Sequence, residues 1–585
     1  MELEGLTSLS LSEPPVSDST LVYRLDIFIL IIILAFTLFN VPRVLVYIAN
    51  NRSEVYLLRS AAGSRMDRSA SSTTLQSKEK VPLHHPLPGL QSAARFKKQW
   101  HFPMCLSLRH PAASFIHYRI LGNYTVVQTV LMAGYTAAVF YAAFYESNPF
   151  SYPKRAGWVI ASQIPFVYAL ATKNNIIGLL VGVGYEKLNY LHRHLGRLMV
   201  IGANVHAIGF IYQWTMAGVV LHRLDEPFVR WGLVALVCFD LLGFFSIHCV
   251  RTKSYNLFFG THFVGLILAL FAACYHKDAC VPFVIGGAVV YGVDHVIRAI
   301  KTCFTTAAIQ TIPEMGLTRV DIPSLRTGWR AGQHVRLRVL STAMGLCGMI
   351  EVHPFTIASA TNTEEGLVLM CKRTGSWTNR LYNMARTTES SEHSQEPVKR
   401  VKVMVEGPYG GVGDTTIPNY SGAMFVAGGS GVTFALSALQ DLVLAGDRSR
   451  TKVIELIWSI KDPAALEQFI PLFATLISQS SPAAVRISVF YTRATTASFE
   501  KLVLPPSITL TPGRPNIEKR LDELAVSMMN KGGTHGAFIG VCGAAGLGED
   551  VARAVRMIDV NSKKAVGGIQ FHEECVNFFK GWILS

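Results

Sequence analysis

Apolar and polar positions divide this chain into two parts with different patterns. The first part contains long apolar segments, whereas the second, after Lys301, alternates short apolar strands with Gly and Pro. About 20 consecutive apolar residues are enough to cross a bilayer as a helix. By this measure seven spans are predicted, at residues 25–48, 124–145, 157–182, 190–215, 229–250, 257–276 and 281–302. The pattern therefore predicts a polytopic α-helical membrane domain followed by a soluble module.

The composition is typical of a chain that is about half embedded in lipid. Mean hydropathy is +0.31, and 50% of residues are hydrophobic while only 16% are charged. The net charge of +15 would also suit nucleic acid, but much of it lies in loops between spans, where the positive-inside rule explains it. We therefore expect membrane lipid, and no nucleic acid, as a partner. The ten cysteines form no CxxC pairs, which disfavours a zinc site or a disulfide framework.

Charge also predicts how the chain crosses the membrane. Residues 1–22 lack the basic region of a cleaved signal peptide, so we expect an extracellular tail and a first transmembrane helix at 23–49. Residues 50–120 are basic, which places this loop in the cytosol. An odd number of spans then leads from an amino terminus outside to a soluble module in the cytosol.

Two histidine pairs share one spacing inside the apolar segments. His192 and His206 are fourteen positions apart, and so are His262 and His276. Fourteen residues make almost four helical turns and rise about 21 Å, so both members of a pair share a helix face. Two such helices would offer two imidazoles to a haem iron at each of two levels. We predict an inner haem b between His192 and His262 and an outer haem b between His206 and His276.

Coincidence is a poor explanation of this spacing. With 18 histidines in 585 residues, composition alone gives roughly half a pair at any one separation. Three pairs are present at fourteen, and the third, His248 with His262, is interrupted by two cations. Arg193 and Arg197 lie beside the inner level. They either neutralise haem propionates or extend to the membrane edge as solvated cations.

The soluble part begins with alternating strands such as 334–340 and 366–372, typical of an antiparallel barrel. Between them, the sequence HPFT at 353–356 resembles the flavin-binding motif of the ferric reductase and NADPH oxidase superfamily. A second family element, GxxT after a basic strand end, matches residues 375–378. The resemblance implies an FAD-binding barrel at 303–415, with the flavin ring near Thr356 and the pyrophosphate near cations and amides. The residues assigned to FAD are His353, Pro354, Phe355, Thr356, Lys372, Gly375 and Thr378.

From about Tyr420 the pattern alternates strand and helix, which predicts a nucleotide-binding α/β domain at 416–585. Residues 428–433 (GGSGVT) open an apolar helix, and their glycines let a pyrophosphate approach its amino terminus. The loop resembles the family's GxGVTP element, with Phe434 in place of the proline. Residues 491–493, 513–515 and 541–543 resemble the family's 2′-phosphate, ribose and nicotinamide elements, and their arginines favour NADPH over NADH. The residues assigned to NADPH are Gly429, Ser430, Gly431, Thr433, Thr492, Arg493, Arg514, Cys542 and Gly543.

The resemblance departs at the carboxyl end. The family usually closes with a glutamate followed directly by an aromatic residue that shields the flavin. Residues 571–576 (FHEECV) contain the acids without that aromatic, and Phe578 or Phe579 could substitute for it.

The resemblance covers residues 155–575 and is greatest to fungal-type ferric-chelate reductases, partly through YLHRHLGR at 190–197. It implies a transmembrane domain with two haems at 121–302. NADPH would reduce FAD in the cytosol, and electrons would pass singly through the haems to ferric or cupric chelates outside the plasma membrane. We expect support of iron or copper uptake, alongside an iron permease and oxidase system.

The acceptor is the open point at this stage. A superoxide-generating NADPH oxidase shares every part except the acceptor and is the alternative. A haem-binding scaffold or sensor without turnover is disfavoured by the flavin and nucleotide motifs. The predicted outer loops, 146–156, 216–228 and 276–281, are short and leave the outer haem open to a bulky chelate. Asp225, Glu226 and Asp278 in these loops are expected to attract a cation weakly.

Overall fold

The structure is a computed structural model. It describes residues 16–50, 59–60, 119–121, 124–389, 399–413, 415–480, 482–493 and 503–575, with the backbone alone at 42–50, 59–60, 119, 121, 387–389 and 575. Residues 1–15 of the predicted tail, most of the predicted basic loop, and Phe578 and Phe579 lie outside the described residues. The chain divides into two units, one comprising Met1–Pro42 and Ile116–Arg298, the other Arg43–Phe115 and Ala299–Ser585.

The first unit is a set of apolar helices. They are α1 Asp18–Asn50, α2 Val126–Phe144, α3 Lys154–Ser162, α4 Ile164–Ala171, α5 Ile176–Val181, α6 Tyr185–Met216, α7 Val220–Asp225, α8 Pro227–Phe245, α9 His248–Lys253, α10 Tyr255–His276 and α11 Val281–Ile300. Within the described residues, six helices are long and apolar enough to cross a membrane. They are α1 as far as Val41, α2, α6, α8, α10, and α11 with the turn before it. The chain is therefore a multi-pass membrane protein.

The segment predicted as a span at 157–182 is interrupted rather than continuous. Gln163 separates α3 from α4, and Pro165, which has no amide hydrogen, is the second residue of α4. Even so, α3 and α4 together cover eighteen positions, about 27 Å at the helical rise. The carbonyls of Pro153 and Val167 meet His206 and His192 respectively, so the broken helix follows α6 in the opposite direction. With the six long helices, this interrupted span accounts for the seven predicted segments.

The interruption is compensated by polar groups from neighbouring helices. Gln163 is 2% exposed. Its Oε1 accepts a hydrogen bond from the Tyr135 hydroxyl at 2.6 Å, and its Nε2 donates to Ser162 Oγ at 2.8 Å and to Asp26 Oδ1 at 3.5 Å. A break inside a bilayer is tolerated only where neighbouring protein satisfies the polar groups it exposes. Gln163 and its partners therefore join α1 and α2 to the broken helix.

A buried ion pair fixes the start of the broken helix. Arg155 is fully buried, and its Nε donates to Asp18 Oδ1 at 3.1 Å. Its Nη1 donates to the Tyr145 carbonyl at 2.6 Å, and the Tyr152 hydroxyl donates to Asp18 Oδ2 at 3.0 Å. Removing one partner of a buried pair typically destabilises a protein by about 3–5 kcal/mol. Arg155 thus ties the start of α1 and the end of α2 to the start of α3.

The second unit begins with a nearly closed antiparallel barrel. Its strands are β1 Thr302–Ile312, β2 Leu317–Ile322, β3 Leu325–Thr327, β4 His334–Val339, β5 His353–Thr356, β6 Leu367–Lys372 and β7 Lys399–Tyr409. Six of them form one sheet in the order β5-β4-β7-β1-β2-β6, and β3 pairs with Arg59–Ser60. A bridge from Ile357, directly after β5, to Leu369 of β6 brings the two sheet edges together. The helices α12 Gly345–Ile350 and α13 Ser376–Glu389 belong to the same region.

A parallel α/β domain follows the barrel. Its strands are β8 Gly422–Gly428, β9 Val453–Ile460, β10 Ala484–Tyr491, β11 Ile508–Pro512, β12 Ala537–Gly543 and β13 Ile569–Cys575. Its helices are α14 Val432–Ala445, α15 Ala464–Glu467, α16 Ile470–Ser478, α17 Ile517–Asn530, α18 Ala545–Met557 and α19 Val560–Ala565. The strand order is β11-β10-β9-β8-β12-β13, and all pairs are parallel. The chain therefore changes direction between β8 and β12, the place where such sheets bind nucleotides. The predicted fold class is confirmed.

The barrel and the α/β domain share one buried hydrophobic cluster, beside a core that belongs to each domain alone. Leu317 and Met370 of the barrel lie in the same buried cluster as Phe434 of α14. A Cβ atom on Gly332, in the loop before β4, would lie only 2.8 Å from the Phe434 ring. Beside it, the Gly332 amide donates to Ser437 Oγ at 3.2 Å. Phe434, which stands where the family has a proline, therefore packs between the two domains.

We expect Phe434→Ala to destabilise the whole second unit, because it leaves a cavity between two domains. Truncating a buried Phe costs about 3–5 kcal/mol. The matched control is Phe304→Ala on β1, where the side chain is 71% exposed and a change within about 0.5 kcal/mol is expected. Denaturant unfolding of the purified full chain measures both, and equal losses in the two variants would contradict the shared core.

Candidate functional site

The four histidines predicted as metal ligands meet in two pairs. The ring centroids of His192 and His262 are 6.3 Å apart, and those of His206 and His276 are 6.2 Å apart. The rings of each pair are steeply inclined, at 66° and 86°. Both pairs join α6 to α10, and the shared spacing of fourteen residues places them at two levels of these parallel helices. The structure thus brings together all four residues in the predicted combinations.

Hydrogen bonds to the backbone orient three of the four rings. Nδ1 lies 3.0 Å from the Val167 carbonyl in His192, 3.0 Å from the Pro153 carbonyl in His206, and 2.8 Å from the Phe228 carbonyl in His276. A carbonyl oxygen only accepts, so in each case Nδ1 carries the proton and Nε2 keeps its lone pair. In His262, Nδ1 lies 3.1 Å from Ser246 Oγ. Partners of this kind fix the ring orientation of metal-binding histidines.

The space between the rings fits one metal ion at each level. A metal–imidazole nitrogen bond is about 2.0–2.1 Å, so two opposed imidazoles on one ion have centroids roughly 6.4 Å apart. The observed separations agree with that distance. Two glycines make room for the outer pair, since a Cβ on Gly157 would lie 2.7 Å from His206 Cε1 and one on Gly232 would lie 2.6 Å from His276 Nδ1. The residues present therefore fit bis-histidine ligation of a haem.

Three guanidinium groups gather beside the His192 level. Arg193 and Arg197 lie on α6, and Arg251 lies on α9 after the preceding span. Burial lowers the pKa of Arg251, and the charges of Arg193 and Arg197 lower it further. Such a cluster is suited to carboxylates such as haem propionates. Sequence reasoning missed Arg251, whose only signal was a cationic boundary after an apolar run.

Two of the three acidic residues predicted at the outer surface are in ion pairs. Arg223 Nη1 contacts Glu226 Oε1 at 2.6 Å, and Arg230 Nη2 contacts Asp225 Oδ1 at 3.0 Å. Because each carboxylate has a cation beside it, the expected attraction of Asp225 and Glu226 for a metal chelate does not follow. That prediction is corrected for these two residues.

The HPFT motif divides its residues between two sides of strand β5. His353 and Phe355 are buried, whereas Pro354 and Thr356 are partly exposed. The buried pair packs on Trp377, whose ring centroid lies 4.5 Å from that of His353 and 6.0 Å from that of Phe355. Trp377 belongs to the second predicted flavin element, so the structure brings the two elements together. Pro354 and Thr356 are the members left to face a ligand.

Thr378 shapes the turn before α13 and does not point outward. Its Oγ1 accepts hydrogen bonds from the amides of Thr374 and Gly375, each at 3.0 Å, and the residue is 3% exposed. Its assignment as a direct ligand contact is therefore replaced by a structural one. Gly375 begins this turn, and a pyrophosphate would be held by the backbone and by nearby cations rather than by the Thr378 hydroxyl.

Lys372 is accompanied by a second cation that sequence reasoning missed. It is exposed at the end of β6, and its pKa is lowered by burial of its amine and by the charge of Lys461. Lys461 directly follows β9, and its carbonyl accepts a hydrogen bond from the Arg493 amide at 2.8 Å. The predicted flavin cation and the predicted nucleotide arginine thus lie on either side of Lys461. The only signal in the sequence was a basic residue directly after an apolar strand.

The glycine-rich loop and the Cys542-Gly543 element meet at the change of strand direction. Ala427 of β8 is in register with Cys542 of β12. A Cβ on Gly431 would collide with the Cys542 carbonyl and lie 3.2 Å from its Sγ. Gly429 has a positive φ of 55°, and its carbonyl accepts from Trp458 Nε1 at 2.9 Å. Glycine is therefore required here for close backbone approach, which leaves an open cradle before α14.

The remaining loop side chains and the two arginines lie along the same edge. Thr433 Oγ1 donates to the Ser430 carbonyl at 3.2 Å, which closes the first turn of the helix. The Gly513 amide donates to the Tyr491 carbonyl at 2.8 Å, so the ends of β10 and β11 are adjacent. Thr492, Arg493 and Arg514 are exposed there. The predicted nucleotide residues all lie at the carboxyl edge of the sheet.

The carboxyl-terminal acids occupy a buried position on the last strand. His572 Nε2 lies 3.1 Å from Glu574 Oε2, and both residues are buried. The His572 ring stacks on Phe434 at 5.8 Å and an angle of 18°. Glu574 is in register with Cys542. His572 and Phe434, which both lie where the sequence departs from the family's pattern, are thus in contact. The sequence did not reveal this contact.

Three protein families match successive parts of the chain. Residues 156–273 match the ferric reductase like transmembrane component, 304–412 match an FAD-binding domain, and 420–556 match the ferric reductase NAD binding domain. These segments contain His192, His206 and His262, together with the HPFT, GxxT and nucleotide elements. His276 lies just beyond the first segment.

Named relatives are similar over about half of the chain. Ferric/cupric reductase transmembrane component 7 of Saccharomyces cerevisiae is 26% identical, over 52% of this chain and 49% of that protein. A probable ferric reductase transmembrane component of Candida albicans is 26% identical, over 54% and 46%. A solved ferredoxin NADP+ reductase from Neisseria gonorrhoeae is 17% identical with a TM-score of 0.30, over 46% of this chain and 98% of that one. The chain spans about half the length of the curated relatives it matches.

Proposed function

We propose that this chain, which belongs to the ferric reductase family, carries electrons from NADPH through FAD and two haems to a metal chelate across a membrane. The observation that carries the proposal is the pair of histidine levels, at 6.3 and 6.2 Å, in a membrane unit followed by flavin and nucleotide domains. The domains at 121–302, 303–415 and 416–585 supply these three parts in order.

The proposed haem ligands are His192 with His262 and His206 with His276. Three of these rings donate Nδ1–H to a carbonyl, which would leave Nε2 to face a haem iron and would hold the imidazole in place. Bound haem would supply one-electron transfer. Arg193, Arg197 and Arg251 would neutralise the propionates of the inner haem.

The soluble unit would bind its two ligands at adjoining edges. Thr356 and Pro354 would face the flavin ring, while Lys372, Lys461 and the Gly375 turn would hold its pyrophosphate. Gly429, Ser430 and Gly431 would receive the NADPH pyrophosphate, with the nicotinamide beside Cys542 and Gly543. Bound FAD supplies the conversion between a two-electron donor and one-electron acceptors.

The direction of transfer rests on topology. With an amino terminus outside, seven crossings would put the flavin unit in the cytosol and the His206–His276 level toward the outside, which the positive-inside rule also favours. The plasma membrane is the proposed location, because an electron that crosses it outward could reduce nutrient metals outside the cell. The names of the relatives, ferric/cupric reductases, favour ferric or cupric chelates as acceptors and a role beside an uptake permease.

Gly157→Ala is expected to remove the outer haem, because the new methyl group displaces His206 from the Pro153 carbonyl. Pyridine haemochrome analysis should give two haems per wild-type chain and one in the variant, with the flavin still reducible by NADPH. The control is Gly134→Ala on α2, where a Cβ meets nothing within 4 Å and both haems should remain. One haem in the wild-type protein would refute the two-level assignment.

Arg493→Gln and Arg514→Gln are expected to weaken NADPH selectively. Losing one charge-assisted contact costs about 1.5–3 kcal/mol, so the KM for NADPH should rise roughly tenfold or more. NADH lacks the 2′-phosphate and serves as the internal control, with an unchanged KM in each variant. Equal kinetics with the two nucleotides in the wild-type protein would contradict the assignment.

The acceptor is tested with purified full chain and NADPH, comparing a ferric chelate with oxygen. We expect ferric reduction to be faster and unaffected by superoxide dismutase, and His276→Ala to abolish it while NADPH still reduces the flavin. Superoxide accumulation, with ferric reduction lost on adding the dismutase, would identify an oxidase instead. Turnover with neither acceptor would identify a haem-binding sensor.

A further inference from the structure

A cavity opens at the amino-terminal edge of the parallel sheet, away from the nucleotide loop. Its volume is about 390 Å³, and it is lined by the turns that precede β8, β9 and β12. Strand β8 is seven residues long, so roughly 20 Å separates this edge from the carboxyl edge. None of the residues assigned to NADPH lines it. The cavity is therefore distinct from the nucleotide site.

Among the described residues that line this cavity, four have basic side chains and none has a carboxylate. They are Arg450, Lys452, Lys531 and His535. Burial lowers the pKa of His535, and the charges of Arg450 and Lys452 lower it further. Burial also lowers the pKa of Arg450. Cations held close together without a carboxylate are unfavourable unless an anion compensates them.

The backbone holds one of these cations in place. Lys452 Nζ donates to the carbonyls of Lys531 and Gly532, at 2.6 and 3.0 Å. The His535 amide donates to the buried Ser421 Oγ at 3.0 Å, which fixes the turn before β12. An ammonium already bound in place loses less side-chain entropy when a ligand arrives, so Lys452 is preorganised.

Hydroxyl groups hold the turn that carries Arg450. Ser449 Oγ donates to Thr451 Oγ1 at 2.9 Å, and Thr451 Oγ1 donates to the Tyr420 carbonyl at 2.9 Å. A planar guanidinium matches two oxygens of one phosphoryl group, while ammonium groups act as point charges. The size of the cavity leaves room for an anion with more than one such group.

We propose that this cavity is a second anion site, which binds an oligophosphate-class anion independently of the NADPH site. The anion is either a soluble oligophosphate or the head group of a phosphorylated lipid. Both present several phosphoryl oxygens to Arg450, Lys452 and Lys531. The site does not rest on the proposed electron transfer.

The test is calorimetric titration of inorganic pyrophosphate into the full chain in nanodiscs at constant ionic strength. The Arg493→Gln/Arg514→Gln background removes the arginines of the nucleotide site, and binding should persist there. Lys531→Gln and Arg450→Gln should each raise Kd roughly tenfold or more. Lys564→Gln, an exposed lysine on the same domain outside the cavity, removes the same charge and should leave Kd unchanged.

A second arm distinguishes the two sources of the anion. The thermal midpoint of the chain is compared in phosphatidylcholine nanodiscs with and without phosphatidylinositol bisphosphate. A rise with the lipid that Lys531→Gln abolishes, without pyrophosphate binding, assigns the site to a head group. Pyrophosphate binding without a lipid effect assigns it to a soluble anion. Binding of neither probe, or equal losses in Lys531→Gln and Lys564→Gln, would overturn the proposal.

Discussion

The membrane unit depends on hydrogen bonds between histidine Nδ1 atoms and backbone carbonyls of the neighbouring helices. Each bond fixes a tautomer, and the tautomer determines which nitrogen is left to face the partner ring. The carbonyls of Pro153 and Val167 are separated by the same fourteen positions as His206 and His192. The broken helix must therefore stay in register with α6, and the Arg155 ion pair and the Gln163 contacts maintain that register at its end and middle.

The soluble unit follows a different constraint, the convergence of strand ends at one edge of a parallel sheet. Gly431, Cys542 and Arg514 are far apart in the chain, yet each lies within three residues of the carboxyl end of a strand of that sheet. The topology brings these strand ends to one edge, where Gly431 and Cys542 approach closely. Lys461 lies near Lys372 for the same reason, because it directly follows β9.

Local periodicity explains what the sequence could predict. The histidine spacing, the apolar spans and the alternation of strand and helix are properties of neighbouring residues, and they predict the fold class and the two pairs of histidines. The break at Gln163 was hidden because the run around it remains apolar. Arg251 and Lys461 were missed because only tertiary structure brings them beside Arg197 and Lys372. Thr378 was assigned to a ligand because a motif does not show that its hydroxyl is satisfied by its own turn.

The packing of Phe434 against Gly332 limits which nucleotide domains can be joined to this barrel. Gly332 has a positive φ of 85° and no room for a side chain, so a phenylalanine at the start of α14 and a glycine in the barrel loop form a matched pair. His572 on the final strand stacks on the same ring. A nucleotide domain taken from a relative with proline at this position would leave a void against this barrel. Conversely, this nucleotide domain would fit the barrel of such a relative only if that barrel has glycine at the position of Gly332. We therefore expect an exchange of nucleotide domains between relatives to succeed only when the loop before β4 and strand β13 are exchanged together with α14.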